Sequence, residues 1–393
     1  MKRTTTTSYA LIGAGLIAMS YGLARFAFGL FVPAIRADLG LSPDIMGIIG
    51  AMPFVSFAVA SIVASPLAER LGAARAAVLA SALGAAGLAT ISQAGHAVIL
   101  GVGVFACGVC TGLMMPALTK GLHQAVAAIQ HGRVSAIMNA GTSFGVAVCV
   151  PTVLVLAEAW RYAYTGFAAI AVVCVIVAWR ALPQPGYSNQ PASDSVLPIP
   201  SKQDLGPLSR LGAFAFGMGM VSSAYWLFTP DMVVEVGGLT PERTGWLWLV
   251  LGLAGMLGGL ASDFADRHGP ARAQSLALIG MAGALGLVVL APDRLDTSLA
   301  SAALFGIVYM SLTGIYLVTG VRLLPHRPAS GSIVPFLAVA IGQAVGSPIA
   351  GWSIAALGYR TTFLAFAVLG IGVAACLPLY PRTEHDAKPA SNA

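Results

Sequence analysis

The chain has 393 residues, of which 57% are hydrophobic and only 9% charged, with a mean hydropathy of +0.83. A water-facing surface normally takes about a quarter charged residues, so this composition excludes an ordinary soluble domain and makes lipid the solvent for most of the chain. The formal charge of +6 does not point to nucleic acid, because the basic residues stand singly between long apolar runs and form no patch.

A helix needs about 20 apolar residues to cross the hydrocarbon core. The chain opens on Met1-Lys2-Arg3 and polar residues, then an apolar stretch over 9–33 that is longer than a signal-peptide core and has no cleavage site, so it is read as a retained first helix. Further apolar runs follow at 44–66, 75–94, 97–119, 135–157 and 162–182, and, after a polar stretch, at 209–231, 242–262, 272–291, 299–321, 331–353 and 359–380. The fold class predicted is all-α integral membrane, with twelve transmembrane helices in two six-helix bundles, 1–182 and 209–393. They are joined by a linker over 183–208 rich in Pro, Ser, Gln and Asp. Cys107, Cys110, Cys149, Cys174 and Cys376 all lie inside apolar runs; no second Cys pair completes a metal site around Cys107 and Cys110, and packing explains them better than redox chemistry.

Charge asymmetry orients these spans. Of the 21 Lys and Arg residues, Arg36, Arg161, Arg243, Arg294 and Arg360 fall in one set of loops and Arg25 lies within a span, which leaves 15 for the other set and the termini. The positive-inside rule then places both termini in the cytoplasm, in a multi-pass protein of the bacterial inner membrane.

The sequence also repeats. Gly40-Leu41-Ser42-Pro43-Asp44 recurs 198 residues later as Gly238-Leu239-Thr240-Pro241-Glu242, with Ser42 and Thr240 expected as N-caps and Pro43 and Pro241 at the first helical position. At an offset of 197, Ser65 to Arg75 recurs as Ser262 to Arg272, and Gly145 and Pro151 match Gly342 and Pro348. Landmarks in order at a near-constant offset indicate two homologous halves.

The stretch Ser65-Pro66-Leu67-Ala68-Glu69-Arg70-Leu71-Gly72 resembles the loop signature G-x-L-x-[DE]-R-x-G-R-[KR] of the major facilitator superfamily, and its second copy lies where that family often keeps a degenerate one. Ser65 and Ser262 depart from the leading glycine, and Ala73-Ala74 from the basic pair. Helix four lacks an arginine the family often has, and Val146 stands where the antiporter signature of helix five carries proline. Tyr21-Gly22-Leu23-Ala24-Arg25-Phe26-Ala27-Phe28-Gly29 is similar to helix one of a poorly characterised bacterial branch of the superfamily. The resemblance implies a secondary transporter working by alternating access around a midplane site. It also implies that Glu69 and Asp266 face the N-terminus of a helix in the opposite half and, with Arg70 and Arg267, latch the cytoplasmic gate in the outward-open state, while Gly72 and Gly269 make the tight turns. The plainer reading of these short charged loops is that they set topology.

Arg25 is the most informative residue. An arginine inside a span costs at least about 3 kcal/mol unless it faces water or a partner. At 100° per residue Tyr21 and Phe28 fall on one side of it and Gly22 and Gly29 on the other, which puts Arg25 between an aromatic strip and a packing seam. No Asp or Glu lies near mid-membrane, so the counter-charge is expected to arrive with the substrate, most simply a small carboxylate held by the guanidinium fork. Backbone carbonyls or an acid nearer the outer face are the structural alternative. Asn139, Ser222, Tyr225, Tyr309, Thr313 and Gln343 are candidate polar anchors in a mostly apolar cavity, although each taken singly could equally serve an interhelical hydrogen bond. No cofactor, metal or nucleic acid is expected, and the chain is expected to be a monomer in the bilayer. A co-transported proton or counter-ion is left open. The rival function is efflux of amphipathic drugs, which would usually want a buried acid.

Overall fold

The computed structural model describes residues 6–156, 158–184, 202–324 and 328–381, so 185–201 of the linker, the terminal Lys2, Arg3, Arg382 and Lys388, and Arg327 lie outside the described residues. All regular structure among the described residues is helical. The first half contains α1 (Thr6–Leu39), α2 (Pro43–Leu71), α3 (Ala73–Ser92), α4 (Ala97–Ala125), α5 (His131–Leu156) and α6 (Trp160–Ala181). The second contains α7 (Lys202–Glu235), α8 (Thr244–Gly255), α9 (Ala261–His268), α10 (Pro270–Leu290), α11 (Leu295–Leu323), α12 (Pro328–Leu357) and α13 (Tyr359–Ala375). Among the described residues ten helices are long and apolar enough to cross a membrane, and α13 is a shorter apolar helix of 17 residues.

The expected eighth span, 242–262, is not one continuous α-helix. A 3-10 turn at Pro241–Arg243 leads into α8, a 3-10 stretch at Met256–Leu260 follows, and α9 completes the passage. The residues 252–259 include Gly252, Gly255, Gly258 and Gly259, and glycine is about 1 kcal/mol per residue worse than alanine in a helix interior. The missing side chains let α11 come close: Gly255 and Gly258 lie against Gly306, Ile307 and Met310.

The duplication is visible in the backbone. Gly40 (φ 62°) and Gly238 (φ 66°) occupy equivalent left-handed turns, and Gly72 (φ 82°) and Gly269 (φ 89°) make the turns at the other end, where a side chain would be strained. Pro43 and Pro241 open their helices as expected. Ser42 and Thr240 are extended N-cap residues, yet neither makes a side-chain capping bond; the first amides reach their backbone carbonyls instead, Met46 N–H to Ser42 O at 3.1 Å and Arg243 N–H to Thr240 O at 3.0 Å.

Close packing of α1 on α5 and of α7 on α12 follows the same plan. A Cβ on Gly22 would strike the Gly145 backbone, one on Gly145 would strike Ala18, and one on Gly342 would strike Phe216. Helices α1 and α7 are the most enclosed, with 78% and 83% of their most apolar stretches buried, against 33% in the spans of α5 and α6. That burial makes them the central pair.

The halves touch from mid-depth toward the end bearing Gly40 and Gly238, called here the far end; the opposite, linker end carries Gly72 and Gly269. Gly47 of α2 packs on Ser347 and Gly351 of α12, Gly245 of α8 on Val153 of α5, and Gly29 of α1 on Trp226 of α7. An ion pair closes the far end. Arg36 of α1 bonds the fully buried carboxylate of Asp231 on α7, and the Tyr359 hydroxyl joins both, lying 2.6 Å from the Arg36 Nη1. The ion pairs at the linker end lie within each half: Glu69 with Lys120 and Asp266 with Arg322, both at 2.8 Å.

Candidate functional site

The middle of α1 is not α-helical. Residues Ala18–Phe26 form a π-helix, closed by the Ala27 N–H on the Gly22 carbonyl. This wider i→i+5 turn is rare and is frequently found at functional sites. It also explains a correction to the helical-wheel reading, because 100° per residue does not hold through the segment that contains Arg25. Hydrocarbon offers no water to a carbonyl loosened from its ladder, and other helices supply the donors. Thr111 Oγ1 on α4 donates to Ser20 O at 2.9 Å, and Trp248 Nε1 on α8 donates to Phe26 O at 3.3 Å.

Arg25 is carried by this segment and is 9% exposed. Its guanidinium carbon lies 4.6 Å from the Phe57 ring centroid, 4.8 Å from that of Phe54 and 5.3 Å from that of Phe26. A desolvated cation–π contact is worth about 2 kcal/mol, so together the rings are comparable with the lowest cost of burying the charge. Nη2 donates to Gln343 Oε1 of α12 at 3.4 Å, across the two halves. Among the described residues no carboxylate pairs with Arg25. The structural alternative of an acid clasp is absent there; the buried acid, Asp231, is committed to Arg36.

Gln343 is the hub. Its Nε2 donates to Tyr309 Oη at 3.3 Å and to Ser222 Oγ at 3.4 Å. Tyr309 and Tyr21 are both near enough to Arg25 to interact with it electrostatically. The structure therefore brings together Arg25, Tyr21, Ser222, Tyr309 and Gln343.

The other candidates stand apart. Tyr225 stacks on Phe305 at 3.8 Å and bonds Ser301, inside its own half. Thr313 turns its hydroxyl to the Met310 carbonyl. Asn139 is exposed on α5, and Phe28 is buried while the rings over Arg25 belong to other residues.

Sequence reasoning missed Phe54 and Phe57, Trp226 and the Arg36–Asp231 pair. The phenylalanines are spaced one helical turn apart on α2, which was a usable signal; the pairing of Trp226 with Phe26, at 4.6 Å between ring centroids, crosses the halves and left none. A separate crevice of about 290 Å³ lies between α1, α5 and α6, lined by Ile12, Leu16, Phe144, Ile170 and Val177 among other apolar groups. It offers no polar anchor for a solute.

Residues 14–334 match the sequence profile of the Major Facilitator Superfamily. The chain belongs to that superfamily. As a major facilitator it falls with transporters rather than enzymes, in keeping with its relatives. The probable sulfoacetate transporter SauU of Cupriavidus necator is 23% identical over 352 residues, 81% of this chain and 78% of that one. The uncharacterized transporter YycB of Bacillus subtilis is 26% identical over 167 residues, and this match spans 42% of each chain.

Among solved structures, a bacterial homolog of the human lysosomal transporter Spinster, in an inward-facing and occupied conformation, superposes with a TM-score of 0.80 at 16% identity over 100% of both chains. A D-xylose–proton symporter gives 0.76 at 15% identity over 96% of this chain and 98% of that one. At such identities the likeness is one of fold.

Proposed function

We propose that this major facilitator moves a small organic anion, in the first instance a carboxylate, across the bacterial inner membrane by alternating access, with Arg25 as the anion's anchor. One observation carries the reading. A guanidinium is buried at the meeting of the two halves, held by rings and an amide, and among the described residues no acid pairs with it. A carboxylate entering there meets a charge-assisted donor in low dielectric. A lipophilic cation would be repelled, which weighs against drug efflux. SauU, named for an organic anion, is in keeping with this reading.

With the basic residues marking the cytoplasmic side, the far end faces outward, and the Arg36–Asp231–Tyr359 contact is its closed gate. Glu69 and Asp266, with Arg70 and Arg267 beside them, are then in the state that the latch leaves open: each carboxylate is paired inside its own half, and both arginines are exposed. On outward opening these carboxylates exchange partners to bridge the halves.

The test is thermal unfolding of the purified protein with carboxylates, inorganic anions and lipophilic cations. Carboxylates raise the midpoint of the wild type and not of Arg25→Ala, since binding to the folded state stabilises by mass action. Stabilisation by cations alone, or an equal carboxylate effect in the variant, rules the reading out.

A further inference from the structure

Donors outnumber acceptors around Gln343. Its Oε1 takes the Arg25 Nη2 and its own Nε2 is shared between Ser222 and Tyr309, while the Arg25 Nε has no partner among the described residues. A second donor belongs to a ring that shares the neighbour Phe26 with Arg25. Trp226 is 5% exposed, and its Nε1–H has no hydrogen-bond partner among the described residues.

Trp226 cannot turn away to find another acceptor. Its ring is wedged edge-on between Tyr309 at 5.2 Å, Phe305 at 5.6 Å and Trp248 at 5.9 Å, and tilted against Phe26 at 4.6 Å. Buried donors are nearly always satisfied, and an orphan calls for an explanation. Two orphans in one constellation, one on each half of the molecule, are explained by one ligand with two acceptor groups.

We infer that the solute is a small carboxylate bearing a second acceptor oxygen on the carbon beside the carboxyl, a 2-hydroxy or 2-oxo acid. Its carboxylate sits on Arg25 and its second oxygen accepts from Trp226 Nε1. This rests on Arg25 being the anion anchor. A plain fatty acid satisfies the guanidinium and leaves the indole N–H buried and unpaired. Sites built around a hydrogen bond discriminate strongly against analogues that lack the group. The two donors come from opposite halves, so the bound acid also ties α1 to α7.

Matched acids test the inference on the purified full-length chain: lactate against propionate, and 2-hydroxybutyrate against butyrate, each titrated by thermal unfolding. The wild type is expected to bind the hydroxy acid about tenfold more tightly, the worth of one buried hydrogen bond. Trp226→Phe keeps a ring and loses the N–H, and is expected to bring each pair within about twofold. Equal binding within each pair by the wild type, or a preference that survives in Trp226→Phe, overturns the inference and leaves the anion anchor standing. Should no acid stabilise the wild type, both fall. If Trp226→Phe does not fold, the wild-type ratio decides, together with Tyr309→Phe, which is expected to keep the hydroxy-acid preference because the second oxygen is held by the indole.

Discussion

Helices α1 and α7 hold equivalent places in the two halves and share their packing glycines, Gly22 and Gly219, and their prolines, Pro33 and Pro230, each pair 197 residues apart. Inside that common frame they diverge. α7 is α-helical throughout from Lys202 to Glu235 and presents Ser222 where α1, at the same offset, presents Arg25 on a π-helical turn. The helices that support them diverge too. Thr111 on α4 closes the loosened backbone of α1, while Tyr309, 198 residues later on α11, turns its hydroxyl to Gln343. The symmetric parts are those that pack, and the asymmetric parts are those proposed to face the solute. A second guanidinium at Ser222 would stand close to the first in low dielectric, where like charges repel by several kcal/mol. One charge with neutral donors opposite it avoids that repulsion and would still enclose the proposed anion.

The strongest way to break this asymmetry is to move the charge. Arg25→Ser is expected to lower carboxylate affinity about a hundredfold, the loss of charge-assisted bonds worth about 1.5–3 kcal/mol each. Adding Ser222→Arg to it is expected to restore part of the affinity, read from the same ligand-dependent unfolding midpoints. No recovery at all would mean that the π-helical turn, and not the charge alone, makes the site.

The next effect concerns the far end. Asp231→Leu leaves Arg36 unpaired and is expected to cost about 3 kcal/mol, at the low end for a broken buried pair because Arg36 is partly exposed. The double variant Arg36→Leu/Asp231→Leu is expected to be more stable than that single one in chemical denaturation. A double variant as unstable as the single would show that the pair is not what joins the halves there.

Smaller and symmetric losses are expected at the seams. Gly22→Ala and Gly342→Ala each force a Cβ onto a neighbouring backbone and are expected to cost about 1–3 kcal/mol, measured as falls in Tm. Unequal falls would weaken the equivalence of the two seams. The smallest expected effect separates Thr111 from Tyr309. Thr111→Val removes an interhelical bond worth about 0.6 kcal/mol and lowers Tm slightly, whereas Tyr309→Phe changes anion affinity more than Tm. If Tyr309→Phe behaves as Thr111→Val does, Tyr309 is a packing residue.

Much of this was legible beforehand. Gly72 and Gly269, read from an eleven-residue repeat, make the positive-φ turns expected of them, because a tight reversal between helices leaves little choice of residue. Arg25 declared itself because a charge in an apolar run is costly wherever the run is placed. The eighth span was harder: its apolar length suggested one helix, and only the approach of α11 shows why its glycines interrupt it. The anchors were read least well. Ser222, Tyr309 and Gln343 converge, whereas Tyr225, Thr313 and Asn139 point elsewhere, since an angular error at a π-turn or a long side chain's rotamer moves a polar atom by several ångströms.

By itself the sequence determined that the chain is a helical membrane protein with a duplicated plan and one buried cation, because hydropathy, repeat offset and the cost of charge in lipid are all local or additive properties. Which groups surround that cation was decided by tertiary structure alone. Phe54 and Phe57 reach it from α2 and Gln343 from α12, while Trp226 of α7 packs on the neighbouring Phe26. Phe54 and Phe57 belong to the same half as Arg25, but the places of Gln343 and Trp226 depend on how two bundles meet, and contacts made across 200 and more residues of chain leave no periodic trace in it.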